Sequence, residues 1–125
     1  MQFSSRQFAD IVVAAPVGRI DHAAAPQLEQ SLAPLLAEAS TGKGGVILDF
    51  AGVDYISSVG LRVLMIAAKQ MRGRGARIAV AALQPVVTEI FAISRFDSVL
   101  EVFPSVRAAV EKLSPPALAK FDAAS

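Results

Sequence analysis

Val46-Ile47-Leu48-Asp49-Phe50-Ala51-Gly52-Val53-Asp54-Tyr55-Ile56-Ser57-Ser58-Val59-Gly60-Leu61-Arg62-Val63-Leu64 is the stretch on which the fold turns. Val46–Phe50, apolar except for Asp49, reads as a buried strand running to its carboxyl end, followed by a short connection. A helix is then expected from about Ser58. Leu61, Leu64, Met65, Ala68 and Met71 recur at three- and four-residue intervals, and Arg62, Lys69, Arg72 and Arg74 fall between them at positions that reach water. The serine pair thus sits where strand gives way to helix.

Downstream, Gly73-Arg74-Gly75 stops the helix and Ala76–Ala81 reads as another strand. A strand–helix–strand crossover is right-handed in nearly all sheets, so these two strands are expected to be parallel. Pro85 opens a short helix with Val86, Val87, Ile90 and Phe91 on its apolar face, Thr88 and Glu89 outside, and Ser94-Arg95-Phe96-Asp97 at its end. Val99–Phe103 reads as the last strand. Ser105 is placed to cap a final helix carrying Val106, Ala109, Val110 and Leu113, which Pro115-Pro116 terminates. Residues 114–125 are read as a flexible tail.

Upstream, Phe8–Ala15 and, after Pro16, Val17–Ile20 are read as the two strands of a hairpin. Asp21 marks the strand end. A helix is expected from about Ala24, with Pro26 in its first turn, Leu28, Leu32, Leu35 and Leu36 along one stripe, and Pro34 kinking or tightening it midway. Thr41-Gly42-Lys43-Gly44-Gly45 reads as a turn. It follows a helix and leads into a strand, the reverse of the order that cradles phosphate.

Composition removes several function classes. The chain has 125 residues, enough for one domain with its own core, and its 54% hydrophobic content contains no uninterrupted apolar run of bilayer length. Twelve basic against eleven acidic residues leave a net charge of +1, too little for general attraction to nucleic acid. The absence of cysteine and the single histidine, His22, exclude thiol redox chemistry and Cys/His zinc sites. The carboxylates show no calcium-loop spacing, and no cofactor or metal is implied. The N-terminus, Met1–Arg6, lacks the pattern of a secretion signal, which makes a cytoplasmic location the expectation.

Ser58, at a helix start, is read either as a cap or as a reactive or regulated hydroxyl. Gly60 removes bulk beside the serines, and Leu61 pins the turn to the core. At about 100° per residue, Ser58, Arg62, Met65 and Lys69 share one stripe. Its basic flanks either suit an acidic partner or merely solvate the helix. A hydrolytic triad of Asp21, His22 and Ser58 is disfavoured, because Ser58 is not in a G-x-S-x-G turn and adjacent Asp21 and His22 point apart. Asp21 and Asp49, each ending a strand, are expected at one sheet edge with the serines, as turn or capping residues if not more.

D-F-A-G-V-D-Y-I-S-S-V-G-L-R-V-L, with G-R-I-D-H before it and L-Q-P-V-V-T-E-I-F-A-I-S after it, resembles the STAS-domain family of anti-sigma factor antagonists over about Phe8 to Leu113. The resemblance implies a single α/β domain, residues 1–113, with a mixed four- to five-stranded sheet and about four flanking helices. It implies binding to an anti-sigma factor with serine kinase activity, which frees a sigma factor for transcription. Phosphorylation of the helix-start serine ends that binding and a serine phosphatase restores it.

The family's D-S-x-G turn falls on Ser57-Ser58-Val59-Gly60, which makes Ser58 the phosphoacceptor and places Ser57 where the family has an acidic residue. Asp21, Ser57, Ser58, Gly60 and Arg62 are then the expected partner-binding residues, with Arg95 in place of a small residue on the rim. No catalytic residue, direct nucleic-acid contact or membrane insertion is implied. The alternative under the same resemblance is a STAS scaffold without a phosphoswitch, in a lipid-transport or sensory complex.

Overall fold

The computed structural model describes residues 1–39 and 44–124. In chain order the elements are β1 (Gln2–Phe8), β2 (Ile11–Ile20), α1 (Ala25–Ala39), β3 (Gly45–Asp49), β4 (Val53–Ile56), α2 (Ser58–Gly73), β5 (Arg77–Ala81), α3 (Pro85–Ile93), a 3₁₀ turn (Phe96–Ser98), β6 (Glu101–Phe103), α4 (Val106–Leu113) and α5 (Pro115–Ala124). The sheet runs β1-β2-β3-β5-β6, with β1 antiparallel to β2 and the other pairs parallel. β3 and β5 are therefore parallel, as the crossover rule requires. Of the turn expected at Thr41–Gly45, residues 41–43 lie outside the described residues, and Gly45 already begins β3.

β4 decides where the site forms. β2 pairs through Ile11–Ala14 with β3 and through Gly18–Ile20 with β4, so the two strands follow one another along the same side of β2. Sequence reading takes residues 51–57 as a plain connection. A strand forms there because Val53 and Ile56 are buried against the core, and because the turn before it is tightly held. Asp49 Oδ1 accepts from Ala51 N at 3.0 Å, Phe50 O from Val53 N at 2.9 Å, and Gly52 O from Gly18 N at 2.8 Å.

The expected hairpin is also corrected. β2 is one continuous strand through Pro16, and the hairpin partner is β1, joined by the two-residue turn Ala9-Asp10 with Ala9 at φ 54°. Pro16 is tolerated because it falls between the β3-paired and β4-paired segments, where β2 has a neighbour only on its β1 side.

Two apolar layers hold the sheet. On one face α1, α2 and α3 cover Ile20, Val46, Leu48, Phe50, Ile56 and Val80 with Leu28, Leu32, Leu64, Met71, Val87 and Phe91. Phe91 sits between Phe50 and Phe96, with ring centroids 6.5 and 5.2 Å apart and near-perpendicular planes, which ties the 3₁₀ turn to the sheet. On the other face α4 and α5 cover Phe8, Ile11, Val13 and Ile47.

Where the sequence suggests a flexible tail, residues 115–124 form α5. Pro115 stops α4 and, at a helix start, costs no hydrogen bond. Ala117 is fully buried, Phe121 meets Phe8 edge-on at 5.2 Å, and Arg107 grips Asp122 through two bonds of 3.1 Å. The bonded carboxylate of Asp122 and its charge raise the Arg107 pKa above its ordinary value. β6 is shorter than expected: Val99 and Leu100 belong to the end of the 3₁₀ turn, whose last hydrogen bonds they make to Phe96 O.

Candidate functional site

The carboxyl ends of β2 and β4 lie side by side, with Arg19 opposite Tyr55 and Ile20 opposite Ile56. Ser57 continues that pairing, its N–H donating to Ile20 O at 2.8 Å. This register brings Asp21 and the serine pair together at one edge. Asp49 does not join them. β3 ends at the level of Ala15, six residues or roughly 20 Å of strand before Asp21, and the Asp49 carboxylate is used in its own turn.

Ser57, not Ser58, caps α2. It has extended backbone (φ −83°, ψ 170°), and its Oγ accepts from Gly60 N at 3.1 Å while its carbonyl accepts from Leu61 N at 2.9 Å. Ser57 is buried and Ser58, the first helical residue, is exposed. Serine and aspartate are both strong N-caps, so Ser57 makes the capping bond that the acidic residue expected from the resemblance would make, without its charge. Ser57→Ala is expected to cost about 1 kcal/mol in chemical denaturation, whereas Ser58→Ala should stay within about 0.5 kcal/mol of wild type.

Gly60 faces inward. A Cβ there would lie 2.8 Å from both Ile20 Cγ2 and Ile56 Cγ1, so the space glycine leaves is filled by those two side chains. Leu61 is buried beside it and anchors the turn, as expected. Outside this turn Ser58, Leu61, Arg62, Met65, Ile66, Lys69 and Phe96 line an open groove of about 580 Å³. The stripe read from the sequence is therefore one wall of a real depression. Its Ile66 and its floor residue Phe96 escaped the sequence reading. Ile66 shows no periodic mark of exposure, and Phe96 arrives from the 3₁₀ turn.

Asp21 closes the turn into α1: Oδ1 accepts from Ala24 N at 3.0 Å and its carbonyl accepts from Ala25 N at 3.0 Å. Oδ2 lies 3.9 Å from Arg19 Nε, and the Arg19 guanidinium stacks over the Tyr55 ring at 4.0 Å. This Arg19–Tyr55 pair was also missed. It stands on the strand positions alternate to buried Ile20 and Ile56, a signal present in G-R-I-D and V-D-Y-I only once the two strands are paired. His22 is exposed in the turn after Asp21, and Arg95 precedes the 3₁₀ turn in the left-handed region at φ 57°.

The arrangement offers an exposed hydroxyl, an apolar groove and a basic wall, a surface suited to a protein partner. No helix among the described residues is long and apolar enough to cross a membrane. The family model of the STAS domain matches residues 2–109. A candidate anti-sigma factor antagonist of Bordetella bronchiseptica, BtrV, is 38% identical over 109 residues, 87% of this chain and 91% of that protein.

Among solved structures, a candidate anti-sigma factor antagonist from Thermotoga maritima superposes with a TM-score of 0.80 at 17% identity, covering 89% of this chain and 93% of that one. The anti-sigma factor antagonist SpoIIAA in its unphosphorylated form gives a TM-score of 0.75 at 17% identity, covering 91% and 97%. With its six-stranded mixed sheet, the helix capped by Ser57 and the match over residues 2–109, the chain belongs to the STAS domain family.

Proposed function

We propose that this protein is a cytoplasmic anti-sigma factor antagonist. It binds an anti-sigma factor with serine kinase activity at the edge formed by Asp21, Ser57, Ser58 and Arg62, with Gly60 setting the turn beneath them, and thereby frees a sigma factor. The kinase phosphorylates Ser58, the complex dissociates, and a serine phosphatase resets the chain. It is a substrate and a ligand, not an enzyme.

The observation that carries this reading is the division of labour between the two serines. Ser57 takes the capping bond, so Ser58 keeps an exposed hydroxyl with no structural duty at the first position of a sixteen-residue helix. A phosphate there would sit beside unpaired backbone N–H groups, which the fold tolerates, and would add roughly 1.5 to 2 negative charges to the contact surface. The similarity to BtrV supports the partner class.

The test is incubation with ATP and the kinase-type anti-sigma factor encoded near its gene. Mass spectrometry should place one phosphate on Ser58, and Ser58→Ala should bind without being modified. No phosphate on wild type would remove the switch and favour the non-switching scaffold.

A further inference from the structure

Ser58 and Arg62 lie one helical turn apart on α2 and line the same groove. Four residues advance the helix by about 6 Å, the spacing at which side chains i and i+4 meet. Arg62 is exposed and, among the described residues, makes no ion pair. Lys69, the other cation on the stripe, is eleven residues or roughly 16 Å from Ser58 along the axis, beyond reach. Arg19 is engaged with Tyr55 and Asp21.

Resting on the function proposed above, we propose that Arg62 converts phosphorylation into release. While Ser58 is unmodified, its guanidinium serves a carboxylate of an acidic partner. Transfer of the terminal phosphoryl group of ATP forms a bond from Ser58 Oγ to phosphorus, breaks the bond to ADP, and gives the hydroxyl proton to the kinase's base. The new phosphate then takes Arg62 in a bidentate, charge-assisted pair. Modification thus withdraws an attractive contact from the partner as well as adding repulsion.

The test is a ³¹P NMR titration of the full chain carrying phosphoserine at position 58, as wild type, Arg62→Gln and Arg62→Lys. The remaining ionisable groups on elements around the start of α2 are Asp21 and His22 in the β2–α1 turn, Asp54 and Tyr55 on β4, and Arg95 and Asp97 at the 3₁₀ turn. The carboxylates among them raise the second phosphate pKa and the cations lower it in all three proteins alike, so the part that changes with residue 62 identifies the arginine. Wild type is expected to titrate roughly half a unit or more below Arg62→Gln, with Arg62→Lys between them.

Identical titrations in wild type and Arg62→Gln overturn the assignment. This readout requires no partner, so its failure is separable from failure of the proposed function, which would appear as no binding of unmodified wild type to the anti-sigma factor. In the complex, Arg62→Gln should weaken unmodified binding about tenfold and reduce the penalty of phosphorylation. An equal penalty in both proteins also overturns it.

Discussion

Ser58→Glu is expected to weaken binding to the anti-sigma factor by about 100-fold or more, about 2.8 kcal/mol, while leaving the fold intact. The two effects separate because of where the residue sits. Ser58 is exposed and carries no cap, so a longer side chain displaces only water. A negative charge at the start of α2 is favourable to the helix dipole, and stability should remain within about 0.5 kcal/mol of wild type or rise slightly. At the contact surface the same charge draws Arg62, one helical turn along, away from an acidic partner and repels that partner's own carboxylates. Calorimetry of binding beside a thermal melt checks both halves. Unchanged affinity would remove Ser58 from the interface.

Gly60→Ala should do the reverse, damaging the fold from a buried position in the first turn of α2. Alanine would ordinarily gain about 1 kcal/mol over glycine in a helix. Here its Cβ would meet Ile20 Cγ2 and Ile56 Cγ1 at 2.8 Å and Ile56 Cδ1 at 3.3 Å. The two nearest are γ carbons bonded directly to Cβ of β-branched residues on strands, so neither isoleucine can swing away cheaply. Overpacking of this kind costs about 1–3 kcal/mol before relaxation, and the first turn of α2 must lift off the sheet to relieve it. Set against the helix-propensity gain, the expected outcome is a net loss of about 1 kcal/mol and a melting temperature lower by roughly 3–6 °C. Stabilisation instead would mean that the turn is not held by this contact.

The central strand, the start of α2, the parallel pairing of β3 with β5 and the Ser105 cap of α4 were all legible in the sequence. Each is announced locally, by an apolar run, by three- and four-residue spacing or by a capping residue. What escaped was set by contacts distant in sequence. The β1–β2 turn is Ala9-Asp10, without the glycine that usually marks a tight hairpin, and Pro16 looked like a breaker because nothing local shows that β2 changes partners there. β4 becomes a strand only because the upper half of β2 is free to receive it. α5 is recruited by Phe8, more than a hundred residues earlier, through Phe121.

The same distinction runs through the site. Ser58, Arg62, Met65 and Lys69 were read correctly as one stripe because helix geometry alone places them. The cap was assigned one residue late, since adjacent serines offer the same chemistry and only the Ser57 Oγ–Gly60 N bond distinguishes them. Asp49 was drawn toward the site because strand ends in a simple parallel sheet align, and β4 breaks that alignment by extending the edge beyond it.

The pairing of β2 with β4 has a consequence for how such a protein diversifies. Along these strands core and exterior are interleaved one residue apart: Ile20 and Ile56 belong to the interior, Arg19 and Tyr55 to the outer face. Substitutions at the outward pair can change the outer face without disturbing the neighbours that hold α2 in place. Inheritance of the scaffold and divergence of its contacts can therefore proceed on alternate letters of the same short words.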